Sequence, residues 1–224
     1  GGVTSDFSLD NISGLTLWLK NDTGVTAAQW NDSSGNGNHA VQTTEDDQGA
    51  LEDGGIAFPG AKNMDLTTKI TLDSFTVFMS IEPDNASSMS MIGDADGSDF
   101  IRINQSASNE FRSKRAVNTL DTNISHSTDF SFEGNGGIER FITMFRQEDD
   151  NTIDIGVNAD IDSFSVANST GSNMDFEHIG SQTAAIGNSF VGTIYEVAIY
   201  NSNLSAADAT LVRENMASRT GITL

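Results

Sequence analysis

Apolar and polar residues alternate one by one along short runs from Leu15 to Tyr200, and clusters of Gly, Asn, Asp and Ser separate the runs. A strand sends successive side chains to opposite faces, so this alternation marks half-buried strands. Leu15, Leu17 and Leu19 alternate with Thr16, Trp18 and Lys20. Phe75, Val77, Met79 and Ile81 alternate with Ser74, Thr76, Phe78 and Ser80, the cleanest core strand of the chain. Phe141, Thr143 and Phe145 oppose Ile142 and Met144 in a run that is apolar on both sides and reads as central; Val191–Tyr200 is two-sided in the same way. Ile153 and Ile155 follow a turn at 147–151, which reads as a hairpin. Strands and helices do not alternate, so a doubly wound parallel sheet is not expected. The pattern predicts an all-β fold of two antiparallel sheets packed as a sandwich.

One helix is expected, from Ala206 to about Ser218. Ser205 is placed as its N-cap, and Asp208, three residues on, puts negative charge at the positive helix end. Ala207, Leu211, Val212 and Met216 fall on one stripe, predicted to lie along the sandwich edge. Gly221 is placed to end the helix. No linker-like segment divides the 224 residues, so the chain reads as one domain over 1–224, with residues 1–12 as an N-terminal extension.

The charge is one-sided, with 32 acidic against 11 basic residues and a net charge of −21. Phosphate binding needs a basic surface, so nucleic acid is not an expected partner, and neither is an anionic membrane. No apolar run approaches the ~18 residues of a membrane helix, so no membrane insertion is expected. Cys is absent, which excludes disulfides, a thiol nucleophile and thiolate metal ligands. No secretory signal pattern opens the chain, which reads as a mature chain or an excised domain.

Two segments carry a family resemblance. The first, GLTLWLKNDTGVTAAQWNDSSGNGNHAV, runs from Gly14 to Val41; the second, VGTIYEVAIYNSNLSAADATLVRENMASRTGITL, from Val191 to Leu224. Together they resemble the concanavalin A-like lectin/glucanase superfamily in its laminin-G-like branch. The resemblance is close at both ends and loose between. It implies a jelly-roll sandwich, with one C-terminal α-helix, whose first and last strands lie side by side. It also implies a structural calcium between those strands. Where many relatives carry I-D-E-V, however, this chain has Ile194-Tyr195-Glu196-Val197, and a phenol is a poor ligand at neutral pH. Glu196, Asp32 and carbonyls near Gly35 remain as donors for such a site.

Four constellations bear on chemistry. In GDADGSDF, Gly93–Phe100, the carboxylates of Asp94, Asp96 and Asp99 surround a turn-forming glycine; they read as a Ca²⁺ loop or, more plainly, as an acidic hairpin. Trp30 and His39 in WNDSSGNGNHA could face a sugar, yet Trp30 reads as core and His39 as a hydrogen-bonded edge residue. Arg102, Arg112, Lys114 and Arg115 form a basic island on an acidic protein, with Asn104, Gln105 and Asn109 beside it. Arg102, Arg112, Arg115 and Asn104 are the candidate ligand-binding residues, able to grip an acidic glycan or a neighbouring acidic subunit, or else to pair within the chain. Finally, no E-x-D-x-x-E run of a sandwich glycosidase occurs, and His39, His126 and His178 lie far apart with no nucleophile elbow.

These readings predict a module that is not an enzyme and that recognises carbohydrate or serves adhesion at an extracellular, cell or virion surface. The alternatives are a structural subunit of a virion or extracellular filament that packs against neighbouring subunits, and a polysaccharide lyase or glycoside hydrolase. Fold alone does not choose among them.

Overall fold

A computed structural model of the chain describes residues 7–84, 87–103, 110–115, 122–125, 140–148, 152–165, 173–183 and 188–224. It contains two 8-stranded sheets. The first runs in the order Asp160–Ser165 (β14), Thr152–Val157 (β13), Phe141–Glu148 (β12), Phe75–Pro83 (β7), Val191–Tyr200 (β16), Gly55–Pro59 (β5) and Ala50–Glu52 (β4). Leu15–Leu19 (β1) also pairs with β16, placing Leu17 opposite Ile199 and Leu19 opposite Val197. The two terminal segments therefore lie side by side, as the resemblance implies. The second sheet runs Thr122–Ser125 (β11), Glu110–Lys114 (β10), Phe100–Ile103 (β9), Met89–Gly93 (β8), Met174–Ile179 (β15), Met64–Leu72 (β6), Ala40–Val41 (β3) and Gln29–Trp30 (β2). All strand pairings within the two sheets are antiparallel, the β-sandwich that the alternation predicts.

The main core fills the space between the sheets. Phe75, Val77, Met79 and Ile81 of β7 meet Ile92, Ile101, Phe111 and Phe176 from the facing sheet. Phe75 sets its ring edge-on to Phe176 at 5.3 Å. A second cluster lies on the outer face of the first sheet, beneath the helix Ala206–Thr220 (α1). There Trp18, Phe78, Ile142, Met144, Ala198 and Tyr200 pack against Ala209, Val212, Met216 and Ala217. Each large side chain so buried contributes about 1.5–3 kcal/mol. This second cluster explains why β12 and β16 are apolar on both faces.

Two details depart from the sequence reading. Leu15 packs into the helix-covered cluster rather than with Leu17 and Leu19, because the pairing with β16 slips between Leu15 and Leu17. On α1 the buried stripe is Ala209, Val212, Met216 and Ala217, while Leu211 is 37% exposed. Val212 and Met216 are buried as expected, and the helix lies over the outer face of the first sheet rather than along the sandwich edge. The caps are as expected: Ser205 Oγ accepts from Asp208 N at 3.1 Å, and Gly221 takes the left-handed conformation at φ 72°. Among the described residues, no helix is long and apolar enough to cross a membrane.

Candidate functional site

The Asn31–Ala40 segment is organised by one carboxylate. Asp32 accepts from the backbone N of Trp18 (2.9 Å), Ser34 (2.9 Å) and Asn38 (3.0 Å), and from Ser34 Oγ (2.8 Å). Asn36 and Asn38 amides bond back to the carbonyl of Thr16. Trp30 is fully buried and gives its indole N–H to Lys20 O, and His39 Nδ1 accepts from Asp32 N. Both residues stand where the sequence reading put them, and the segment ties β1 to the facing sheet. Asp32 spends its lone pairs on the protein itself.

The basic island divides. Arg102 and Arg112 are opposite one another on β9 and β10, and Lys114 is opposite Phe100. Phe111 points into the core, so Arg112 and Lys114 take the outer face. Arg102 is 6% exposed; its guanidinium stacks at 4.3 Å on the Phe100 ring and bonds to Ser90 Oγ and Gln182 Oε1. Arg115, by the same alternation, leaves that face and pairs with Asp73 at 2.7 Å. The four cations therefore do not share one surface. Asn104, Gln105 and Asn109 lie outside the described residues, as does His126.

Of the three aspartates of the 93–100 hairpin, Asp94 and Asp96 hold one turn and Asp99 points to another strand. Asp94 accepts from Gly97 N (2.6 Å) and Ser98 Oγ (2.8 Å), Asp96 from Ser98 N (2.9 Å), and Asp99 from Asp175 N (2.8 Å). Burial pushes the Asp94 carboxyl up to about 6, while the Ser98 hydroxyl holds Asp96 below the usual carboxylate range. Among the described residues, no three His, Asp or Glu side chains gather as a metal-holding group. Asp94 and Asp96 thus both brace the Gly97–Ser98 turn, while Asp99 reaches across to the backbone of Asp175. His178 pairs with Asp65, Nδ1 to Oδ1 at 2.7 Å, in the second sheet and apart from His39.

The departure at Ile194-Tyr195-Glu196-Val197 has a structural reason. The pairing of β16 with β7 slips between Ile194 and Glu196, a bulge that places Tyr195 and Glu196 together on the outer face. Glu196 is fully buried there and accepts from Trp18 Nε1 (2.6 Å) and Arg219 (2.6 and 3.1 Å). Tyr195 gives its hydroxyl to Glu82 at 2.5 Å, and Arg140 stacks on its ring at 4.2 Å. Burial, with the Glu82 charge beside it, pushes the Tyr195 phenol far up, so it stays protonated as a donor. Arg140 completes the cluster by bonding Glu82 (2.9 Å) and Asp53 (2.6 Å).

Beside this satisfied cluster a cleft opens. Its lining is Asp22, Gly24, Val25, Thr26, Gln29 and Asn31 on one wall and Leu51 of edge strand β4 on the other, around 330 Å³. That volume is at the small end of the range for small-molecule sites, about 300–1,000 Å³. The walls are tied at their base. Asp22 N donates to Gly54 O at 2.8 Å, and the Asn21 amide donates to Asp53 O (3.0 Å) and Tyr195 O (3.2 Å). Gly24, at φ 60°, lies so close to Asn31 that a Cβ there would sit 2.6 Å from its amide nitrogen. Gln29 Nε2 donates to Asn31 Oδ1 at 2.6 Å. Among the described residues, the Asp22 carboxylate, Gln29 Oε1 and Asn31 Nδ2 have no side-chain hydrogen bond, and Leu51 is 57% exposed. Hydrogen-bonding groups of both signs thus face an aliphatic surface. None of these residues stands out in sequence, Leu51 included, since its strand Ala50–Glu52 is too short to alternate.

No protein-family model matches the chain, and no curated protein matches it. Solved structures do. The chain is similar to Trypanosoma rangeli sialidase in complex with sialic acid, at 12% identity and a TM-score of 0.65, over 93% of this chain and 34% of the sialidase. It is similar to botulinum neurotoxin type C, whose cell entry is described as dependent upon interaction with two ganglioside molecules, at 16% identity and a TM-score of 0.61, over 93% of this chain and 53% of the toxin chain. The binding domain of botulinum neurotoxin DC in complex with SialylT aligns at 14% identity and a TM-score of 0.61, over 93% and 52%. The chain therefore spans about a third of the sialidase and about half of the toxin chains it matches. At such identities the likeness establishes the β-sandwich. It also corrects the expectation that the chain is not an enzyme: the missing E-x-D-x-x-E run tests one class of hydrolase, and this sandwich occurs within the chain of a sialidase.

Proposed function

We propose that this chain is a carbohydrate-binding β-sandwich working at an extracellular surface, with the cleft between Asp22–Asn31 and Leu51 as its ligand site. The observation that carries this reading is the cleft's lining. Carboxylate and amide atoms without side-chain partners, on Asp22, Gln29 and Asn31, stand across from exposed aliphatic carbon, and a sugar ring offers hydroxyls on its rim and C–H groups on its face. The solved neighbours support it, since two of the three are named for gangliosides or SialylT and the third holds sialic acid. The concanavalin A-like resemblance of the terminal segments points the same way.

A glycan array probed with the whole chain, in calcium and in chelator, tests the reading. Binding to a defined saccharide, weakened on Asn31→Ala, is expected. Silence across neutral and acidic glycans in both buffers overturns it. Release of reducing ends from a bound glycan would extend the function to glycoside cleavage.

A further inference from the structure

We propose that the cleft takes an uncharged saccharide and discriminates against sialylated ones. The inference rests on the carbohydrate-binding reading above and names its ligand class. Its ground is the placement of charge. Asp22 is the one ionisable side chain in the lining, and it is anionic. None of the 11 Lys and Arg residues of the chain lines the cleft. The cation bonded to the adjoining hairpin, Arg140, is already held by Asp53 and Glu82. Lys20, next to the cleft loop in sequence, sets its ammonium 4.8 Å over the Trp18 ring. A sugar carboxylate entering the cleft would meet the Asp22 carboxylate and the field of a chain of net charge −21, with no counter-charge. Like charges a few ångströms apart near a protein surface cost about a factor of ten or more in affinity.

An uncharged sugar meets no such penalty. Its hydroxyls can donate to the Asp22 carboxylate and Gln29 Oε1 and accept from Asn31 Nδ2, while Leu51 and Val25 cover a C–H face. Carboxylates and amides together suit hydroxyls, which both donate and accept.

Calorimetric titration of the whole chain with lactose, maltotriose, mannotriose and sialyllactose tests this. At least one neutral sugar is expected to bind at least tenfold more tightly than sialyllactose. Asn31→Ala and Leu51→Ala are each expected to weaken that neutral sugar by roughly tenfold. Asp22→Asn keeps the shape and removes the charge, and is expected to shrink the preference for neutral over sialylated sugar about tenfold. Sialyllactose binding as tightly as the neutral sugars, or neutral binding untouched by the Asn31 and Leu51 variants, would overturn the inference while leaving carbohydrate binding intact. No binding of any of the four sugars, nor of any glycan on the array, overturns both. Circular dichroism of each variant separates lost binding from lost fold.

Discussion

Two polar regions meet at the turn between β4 and β5, and they differ in one respect. On the Arg140 side, Tyr195, Glu82 and Asp53 form a closed set in which each named polar group has a protein partner. On the cleft side, Asp22, Gln29 and Asn31 keep polar atoms without one. Both sides are rich in polar side chains, an aspartate on each among them. Polar content therefore does not distinguish a brace from a site; the difference lies in whether hydrogen-bonding capacity is consumed within the chain. The consumed side should govern stability and the open side binding.

The largest effect is expected where the consumed set is most buried. Glu196→Ala leaves Arg219 and the Trp18 indole without their shared acceptor beneath α1, and should cost about 3 kcal/mol or more in denaturant unfolding. A loss below about 1 kcal/mol would mean that water enters under the helix. Tyr195→Phe removes a donor to an anionic acceptor and should cost about 1.5–3 kcal/mol, with no change in sugar affinity. Asn21→Ala sits on the boundary between the regions. It removes two hydrogen bonds and should cost about 1–2 kcal/mol, but it also unties the cleft walls, so sugar affinity should fall as well. Equal behaviour of the Tyr195 and Asn21 variants in both assays would erase the contrast.

Much of this was legible in sequence, for a local reason. Alternation is written residue by residue, so β7, β12 and β16 could be read directly, and Ser205 and Gly221 announce the helix ends. What could not be read depends on register. A one-residue slip near Thr16 turns Leu15 to the other face, and the bulge at Tyr195 turns two successive side chains outward. The Asp94, Asp96 and Asp99 spacing looked convergent because sequence shows nearness along the chain, not direction; in the fold Asp99 turns to Asp175 instead. The cleft was invisible because its walls are about twenty to thirty residues apart and joined through Gly54 and Asn21, whose role is backbone contact.

The 93–100 hairpin offers a pH test of burial, because the fold disfavours the ionised form of the buried Asp94 carboxyl. Asp94 titrates near 6 in the folded chain against an ordinary 3.8, so the fold favours its protonated form. Its contribution is complete below about pH 4 and is lost as pH rises through about 6. Asp96 shifts the other way, and its contribution is lost only as pH falls through its lowered folded value. Burial raises Asp84 as well, so comparison with Asp94→Asn isolates the Asp94 share between about pH 4 and 6. Thermal midpoints of the wild type should fall across that interval relative to Asp94→Asn, and parallel curves would show a solvated carboxyl.

The smallest expected change in stability is the sharpest test of the open side. Leu51 is on an edge strand, 57% exposed, and outside both buried clusters, so Leu51→Ala removes little burial and leaves no cavity. Unfolding free energy should stay within about 0.5 kcal/mol of wild type. The β4 pairing survives too, since Leu51 meets Ile56 through the backbone ladder. Yet Leu51 is the apolar wall opposite the cleft's polar groups, and its loss should be felt by any sugar that stacks there. A variant as stable as wild type but weakened roughly tenfold for a neutral sugar would show that this exposed leucine is kept for a ligand. A variant unchanged in both would return the cleft to ordinary surface.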